Sequence, residues 1–182
     1  MLQILITVNL IAKIGEKITI RRAEFFDNSV GTNFSYVHSA LEKGIGKIIS
    51  LVKLEGISKG KNDSIGTKIA MHIAASNPLA LSEEHLSDEL IKKEQKLFSE
   101  QARESGKPEN VIENMVKGKL KKFISEVTLL NQNFVIDPDM TIKEILEKNN
   151  NSILDYVRFE VGEGIEKASE DFAEEVMKSI SS

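Results

Sequence analysis

The apolar positions change their spacing several times along the chain, and each change predicts an element. Residues 4–12 form an apolar run broken only by Thr7 and Asn9, and such an opening straight after Met1 reads as an element cut from a longer chain. From residue 17 to 26 the pattern alternates, with Ile18 and Ile20 facing one way and Thr19 and Arg21 the other, the period of a half-buried strand. Turn-forming clusters follow at Asp27-Asn28-Ser29 and Gly31-Thr32-Asn33. Residues 34–38 predict a short strand, 39–46 a loop, and the β-branched stretch 48–54 another strand closed by Glu55-Gly56. Strands joined by such short links pair antiparallel, because parallel pairing needs long crossovers.

Helical periods take over next. Asn62, Asp63 or Ser64 is placed to cap a helix that carries Ile65, Ile69, Ala70 and Ile73 on one stripe and ends before Asn77-Pro78. From Leu86 to Ser105 the apolar residues Leu86, Leu90, Ile91, Leu97, Phe98 and Ala102 draw one seam along a long helix. Gly106 is placed to stop it and Pro108 to begin the next. The return helix carries Ile112, Val116, Leu120, Phe123, Val127 and Leu130 at steps of three and four. Each arm is about twenty residues, hence about 30 Å at 1.5 Å per residue, and a tight turn forces the two to lie antiparallel with their seams facing. Residues 131–138 read as a loop, Thr141 caps a short helix over 142–149, and 153–161 reads as a strand able to join the earlier sheet. An amphipathic helix over 165–180, with Phe172, Val176 and Ile180 on one side, ends the chain.

The predicted class is therefore α+β: an antiparallel sheet of three to four strands packed with helices, and a long helical hairpin inserted in the domain. The predicted boundaries are 1–85 for a core subdomain of sheet and helix, 86–130 for the hairpin, 131–164 for the return to the core, and 165–182 for a C-terminal helical module.

Composition narrows the chemistry. The 182 residues are 41% hydrophobic and 29% charged, an ordinary balance for a globular protein. A net charge of −4 argues against broad binding to nucleic acid or an anionic membrane. The densest basic run, Lys117, Lys119, Lys121 and Lys122, is flanked by Glu113 and Glu126 and reads as a solvated helix face. The absence of cysteine excludes disulfides, thiolate catalysis and zinc–thiolate sites. The run at 4–12 is too short to span a bilayer.

No catalytic constellation is expected. Gly44-Ile45-Gly46-Lys47 fails as a phosphate loop, since Leu41 stands at the first glycine position and Ile48 where a magnesium-binding Ser or Thr belongs. The three histidines lack metal-ligand spacing. His72 lies inside a helix and reads as a satisfied core or flank residue, His85 as a residue at a helix entrance. His38 follows Tyr36-Val37 at a strand end, where its ring could either reach a partner or bond the nearby backbone.

Two stretches together are more specific. Residues 105–112, Ser-Gly-Lys-Pro-Glu-Asn-Val-Ile, with 117–123, Lys-Gly-Lys-Leu-Lys-Lys-Phe, resemble the coiled-coil hairpin of the elongation factor Ts family. Residues 158–166, Arg-Phe-Glu-Val-Gly-Glu-Gly-Ile-Glu, resemble the end of that family's core, and Ser35-Tyr36-Val37-His38 and residues 71–78 stand in the family's order. The resemblance covers nearly the whole chain after Asn9. It implies a cytoplasmic, non-enzymatic guanine-nucleotide exchange factor that binds elongation factor Tu and hastens GDP release, with no cofactor, no metal and no direct nucleotide contact of its own. It aligns His38 with a contact to the GTPase, and Phe172 and Val176 with a C-terminal module that packs on it. It also marks Leu90, Leu97, Ile112, Val116, Leu120 and Phe123 as the seam of a hairpin that serves dimerisation, so a homodimer, or a self-association module without exchange activity, is the alternative. Full-length members carry a Thr-Asp-Phe motif that intrudes near the nucleotide's magnesium site. This chain contains no Thr-Asp-Phe, so impaired exchange is expected of it.

Overall fold

A computed structural model describes residues 2–56 and 63–164, in two units divided between Val30 and Gly31. The first unit holds helix α1 (Leu2–Ile14), stopped by Gly15 at φ +77, whose N–H returns to the Ile11 carbonyl at 2.9 Å. Residues 17–26 form no strand, which corrects the alternating reading. Ile20 and Phe25 are exposed at 62% and 84%, and no ladder among the described residues pairs the segment. Alternation only permits a strand; a partner edge makes one.

The second unit is built on a three-stranded antiparallel sheet in the order β1 (Thr32–Glu42), β2 (Ile45–Glu55), β5 (Ser152–Glu160). The expected loop at 39–46 is instead the tip of the β1–β2 hairpin. Lys43 and Gly44, the latter at φ +78, turn the chain, and a register shift between Ala40 and Glu42 bulges Leu41 out of the ladder. Even-numbered residues of β2 face a helix: Ser50, Val52 and Leu54 are fully buried beneath α2 (Asp63–Ser76). Across the sheet they align with Tyr36 and Arg158, and with Phe34 and Tyr156, as the registers require. The helix is anchored to the sheet by two side chains. Ser50 donates its hydroxyl proton to the Ala70 carbonyl at 2.6 Å, and Arg158 Nε donates to the Ala74 carbonyl at 3.1 Å. Tyr156 donates to the Pro78 carbonyl at 3.2 Å, and its burial pushes the phenol up to about 12.

Ile69, Ile73, Leu129, Phe134 and Ile142 complete this core, each at 2% exposure or less. Burying a side chain of that size contributes roughly 1.5–3 kcal/mol. Phe134 belongs to a second correction: residues 131–138 are not plain loop but include β3 (Asn133–Phe134), which pairs with β4 (Asp137–Thr141). Next comes α5 (Ile142–Lys148), opened by a capping box between Thr141 and Glu144.

Between β2 and β5 in the chain stands the helical hairpin, so the structure is α+β with the hairpin inserted into the sheet domain. Helix α3 (Asp88–Arg103) starts on the Ser87 hydroxyl, which accepts the Leu90 N–H at 3.2 Å. Gly106, at φ +66, turns the chain, and α4 (Glu109–Val127) begins after Pro108. At its base the entering and leaving chains run side by side. Leu79 N–H donates to Val127 O at 2.8 Å, Leu129 N–H to Ala80 O at 2.9 Å, and Leu130 N–H to Leu81 O at 3.0 Å. These three backbone bonds clamp the hairpin to the core.

Candidate partner-binding surface

The sheet extends past α2 at one end, and His38 stands there. It lies within β1 rather than at the mouth of a loop, paired with Ile48, which in turn pairs with Glu160 of β5. That row is the next beyond Tyr36, Ser50 and Arg158 on the helix-facing side. His38 is exposed, and its Nδ1 shares a hydrogen bond with the half-buried Tyr36 hydroxyl at 3.3 Å. Directly after it Ser39 takes φ +50, a left-handed turn that begins the irregular tip. Two strands away, Arg158 is only 10% exposed and holds the Glu160 carboxylate at 2.8 Å.

Apolar side chains crowd the same end. Leu41 on the bulge is 77% exposed, Ile45 at the start of β2 55%, and Val161 just past β5 78%. Val161 N–H donates to the Lys47 carbonyl at 2.9 Å, so it stands beside the β2 edge. Exposed aliphatics, a histidine and an oriented carboxylate thus share one end of the sheet, with His38 and Glu160 on the helix-facing side and Ile45, by the alternation of β2, on the other. Of the residues at this end of the sheet, the sequence pointed to His38 and not to Leu41, Ile45 or Val161. Their signal was the Lys43-Gly44 dipeptide, which fits a two-residue hairpin turn and lengthens both strands beyond the core.

The hairpin seam is shorter than its apolar pattern suggested. Ala102, Ile112 and Val116 are buried, with Phe98 packed against them. Phe98 meets Phe123 edge-on with ring centroids 6.3 Å apart, and Lys119 Nζ sits 5.7 Å from the Phe98 centroid while donating to Gln101 Oε1 at 3.1 Å. Leu90, Leu120 and Phe123 are half-buried. Leu97 does not join the seam and is 44% exposed, because it lies about a quarter-turn of the helix away from the line of Phe98 and Ala102. Lys117, Lys119, Lys121 and Lys122 are all exposed. Phe172 and Val176 lie outside the described residues.

His72 is fully buried within α2, and His85 is exposed in a short 3-10 turn with its Nδ1 2.8 Å from the Ser82 hydroxyl. Among the described residues no group of three or more His, Cys, Asp or Glu is arranged to hold a metal ion, and no helix is long and apolar enough to cross a membrane.

A family profile described as elongation factor TS matches residues 5–163. The chain is 52% identical over 169 residues to an elongation factor Ts of Paracoccus denitrificans, covering 93% of this chain and 56% of that protein. It is 51% identical over 170 residues to the one of Dinoroseobacter shibae, with 93% and 56% covered, and 46% identical over 171 residues to that of Methylococcus capsulatus, with 94% and 55% covered. The chain thus spans a little over half the length of these curated relatives. With a profile match running from the first helix through the last strand of the sheet, the chain belongs to the elongation factor Ts family.

Proposed function

We propose that the chain works in translation elongation by binding elongation factor Tu, and that its gripping surface is the sheet end carrying His38, Leu41, Ile45 and Val161. The observation that carries this reading is the exposure of three large aliphatics at the same end of the sheet as His38, on a chain of this family. Exchange of this kind needs no covalent chemistry, no metal and no cofactor of the factor's own. A factor that prefers the nucleotide-free GTPase weakens the hold on GDP by the same coupling energy with which GDP weakens the hold on the factor. In this division of work residues 31–85 and 131–164 supply the grip, 86–130 the hairpin, and 165–182, with Phe172 and Val176, a second contact on the GTPase. Translation elongation is cytoplasmic work, and the reading carries that location with it.

The chain alone holds partner-binding surface without a Thr-Asp-Phe wedge. Mixed with purified elongation factor Tu loaded with fluorescent GDP, it is expected to bind in a pull-down yet to accelerate GDP release little. Val161→Asp and His38→Ala should each weaken the capture. Absence of binding overturns the reading, and full acceleration by these 182 residues overturns the need for the wedge.

A second reading, self-association through the hairpin, draws on the exposure of Leu97. Light scattering tests it: a chain that stays monomeric at high micromolar concentration rules it out.

A further inference from the structure

The buried His72 is wired to the base of the hairpin. Its Nδ1 accepts the Val135 backbone N–H at 3.3 Å, with the Ser76 hydroxyl 3.4 Å from the same nitrogen. A ring nitrogen that accepts an amide proton carries none of its own, so the neutral ring keeps its proton on Nε2. Nε2–H therefore donates to Gln132 Oε1 at 2.9 Å. With its oxygen so engaged, the Gln132 amide turns its Nε2–H toward the Glu126 carbonyl at 2.7 Å, in the last turn of α4. One chain of hydrogen bonds thus joins the middle of α2 to the foot of the hairpin's return arm, each link's polarity set by the one before it.

We propose that this chain is a proton-operated latch on the β3 end: a proton taken up at His72 Nδ1 confronts the Val135 N–H donor to donor and releases that amide from α2, while the Nε2–H bond to Gln132 persists and strengthens with the ring's charge. An imidazolium has two donors and no acceptor, so the Val135 amide loses its partner as the ring gains charge. Among the described residues, the groups bonded to the ring are Val135 N–H, the Ser76 hydroxyl and Gln132, and none is a carboxylate. On α4, Glu126 offers His72's network only its backbone carbonyl, while its carboxylate pairs with Lys122 at 3.7 Å across the mouth of an open cleft that Ser76 and Gln132 also line. On α2 the nearest ionisable residue one turn away is Lys68, which is exposed. From β3 comes the Phe134 ring, 6.0 Å from the imidazole, and Asp137 and Asp139 of β4 are exposed. Burial holds the His72 imidazole below the ordinary histidine value, with the Gln132 bond pulling weakly the other way, so the latch is closed at neutral pH. The Gln132 link to Glu126 O and the backbone bonds joining residues 79–81 to 127–130 stay in place, so release is confined to the Val135 end of the segment and the hairpin's foot keeps its hold.

Hydrogen exchange on the full chain tests this between pH 7.5 and 5, with each amide rate corrected for its intrinsic pH dependence. The opening equilibrium at Val135 should rise about tenfold per unit of pH below ~6.5, while Val52 and Leu54 in the central strand keep their protection. In His72→Gln the slope at Val135 should vanish. Imidazole carbon and nitrogen shifts of the unmodified chain give a second reading that needs no variant: His72 should show the Nε2–H form at neutral pH and titrate together with the loss of Val135 protection. A flat Val135 profile, equal loss at Val52 and Leu54, or an His72 ring that titrates while Val135 remains protected each overturns the proposal.

Discussion

The ring of Phe34 lies so close to Gly66 that a Cβ added there would come within 2.3 Å of its carbons. Phe34 is 7% exposed on β1, and Gly66 sits in the first half of α2, so this one contact sets how closely the helix approaches the sheet.

Gly66→Ala is therefore expected to destabilise the fold even though Ala is the better helix former. The propensity gain is about 1 kcal/mol. Forcing a methyl into a packed ring costs roughly 1–3 kcal/mol. A net loss of up to about 2 kcal/mol should appear in urea unfolding, and the double variant with Phe34→Leu should recover part of it, since the two sites share one contact. An Ala variant as stable as the parent would show that the helix can ride up without penalty.

The hairpin offers an internal comparison. Val116 is 6% exposed in the seam, and Leu97, on the opposite arm, is 44% exposed. Val116→Ala should cost about 1.5–2.5 kcal/mol from lost burial and the cavity left behind. Leu97→Ala should stay within about 0.5 kcal/mol, as surface changes do. Equal losses in urea titrations would mean that Leu97 packs in solution, through a second chain.

These two helices show what the sequence made legible. The seam period, the Ser87 cap and the Gly106–Pro108 bend are local signals, and each has its structural counterpart. Leu97 lies off the buried seam because neighbouring residues of a helix are turned about 100° apart, and it is Phe98, with Ala102 one turn on, that faces α4; apolar spacing alone does not say which of the adjacent pair Leu97-Phe98 faces inward. The strand read at 17–26 failed for a different reason: pairing is a tertiary event, and alternation says nothing of the partner. His38 stands in a family motif, whereas the exposed aliphatics at the same end of the sheet depend on a bulge at Leu41 and on the meeting of β2 with the end of β5, across a long intervening stretch that no local pattern encodes.

Arg158 tests the anchoring of α2 at its far end. Its guanidinium donates to the Ala74 carbonyl at 3.1 Å and grips Glu160 at 2.8 Å while nearly shielded from water. Arg158→Met preserves the stem but leaves the Ala74 carbonyl without that donor and Glu160 without its cation. A loss of about 1–3 kcal/mol is expected. Arg158→Lys should recover only part of it, because an ammonium does not reproduce the planar fork. Full recovery by Lys in thermal melts would reduce Arg158 to a point charge.

Glu144 gives the acid side of the stability profile. The Thr141 backbone N–H donates to its carboxylate at 2.7 Å and the Thr141 hydroxyl at 2.9 Å, and these bonds, the backbone one foremost, hold the carboxyl below the ordinary glutamate value. A folded-state value below the unfolded one means that the stabilisation is fully present above the unfolded glutamate value and is lost as pH falls through the folded one. The carboxyl resonance of Glu144, followed by NMR from pH 6 to 2.5, should titrate below the ordinary glutamate value. In Thr141→Ala the hydroxyl donor is gone but the backbone donor remains, so the midpoint should move only part of the way up. The same variant removes the acceptor for the Glu144 N–H, found at 3.2 Å, and should cost about 1 kcal/mol of stability at neutral pH. A Glu144 midpoint at the ordinary glutamate value in the parent chain would mean that the capping box is open in solution, and Thr141→Ala would then leave both the midpoint and the stability unchanged.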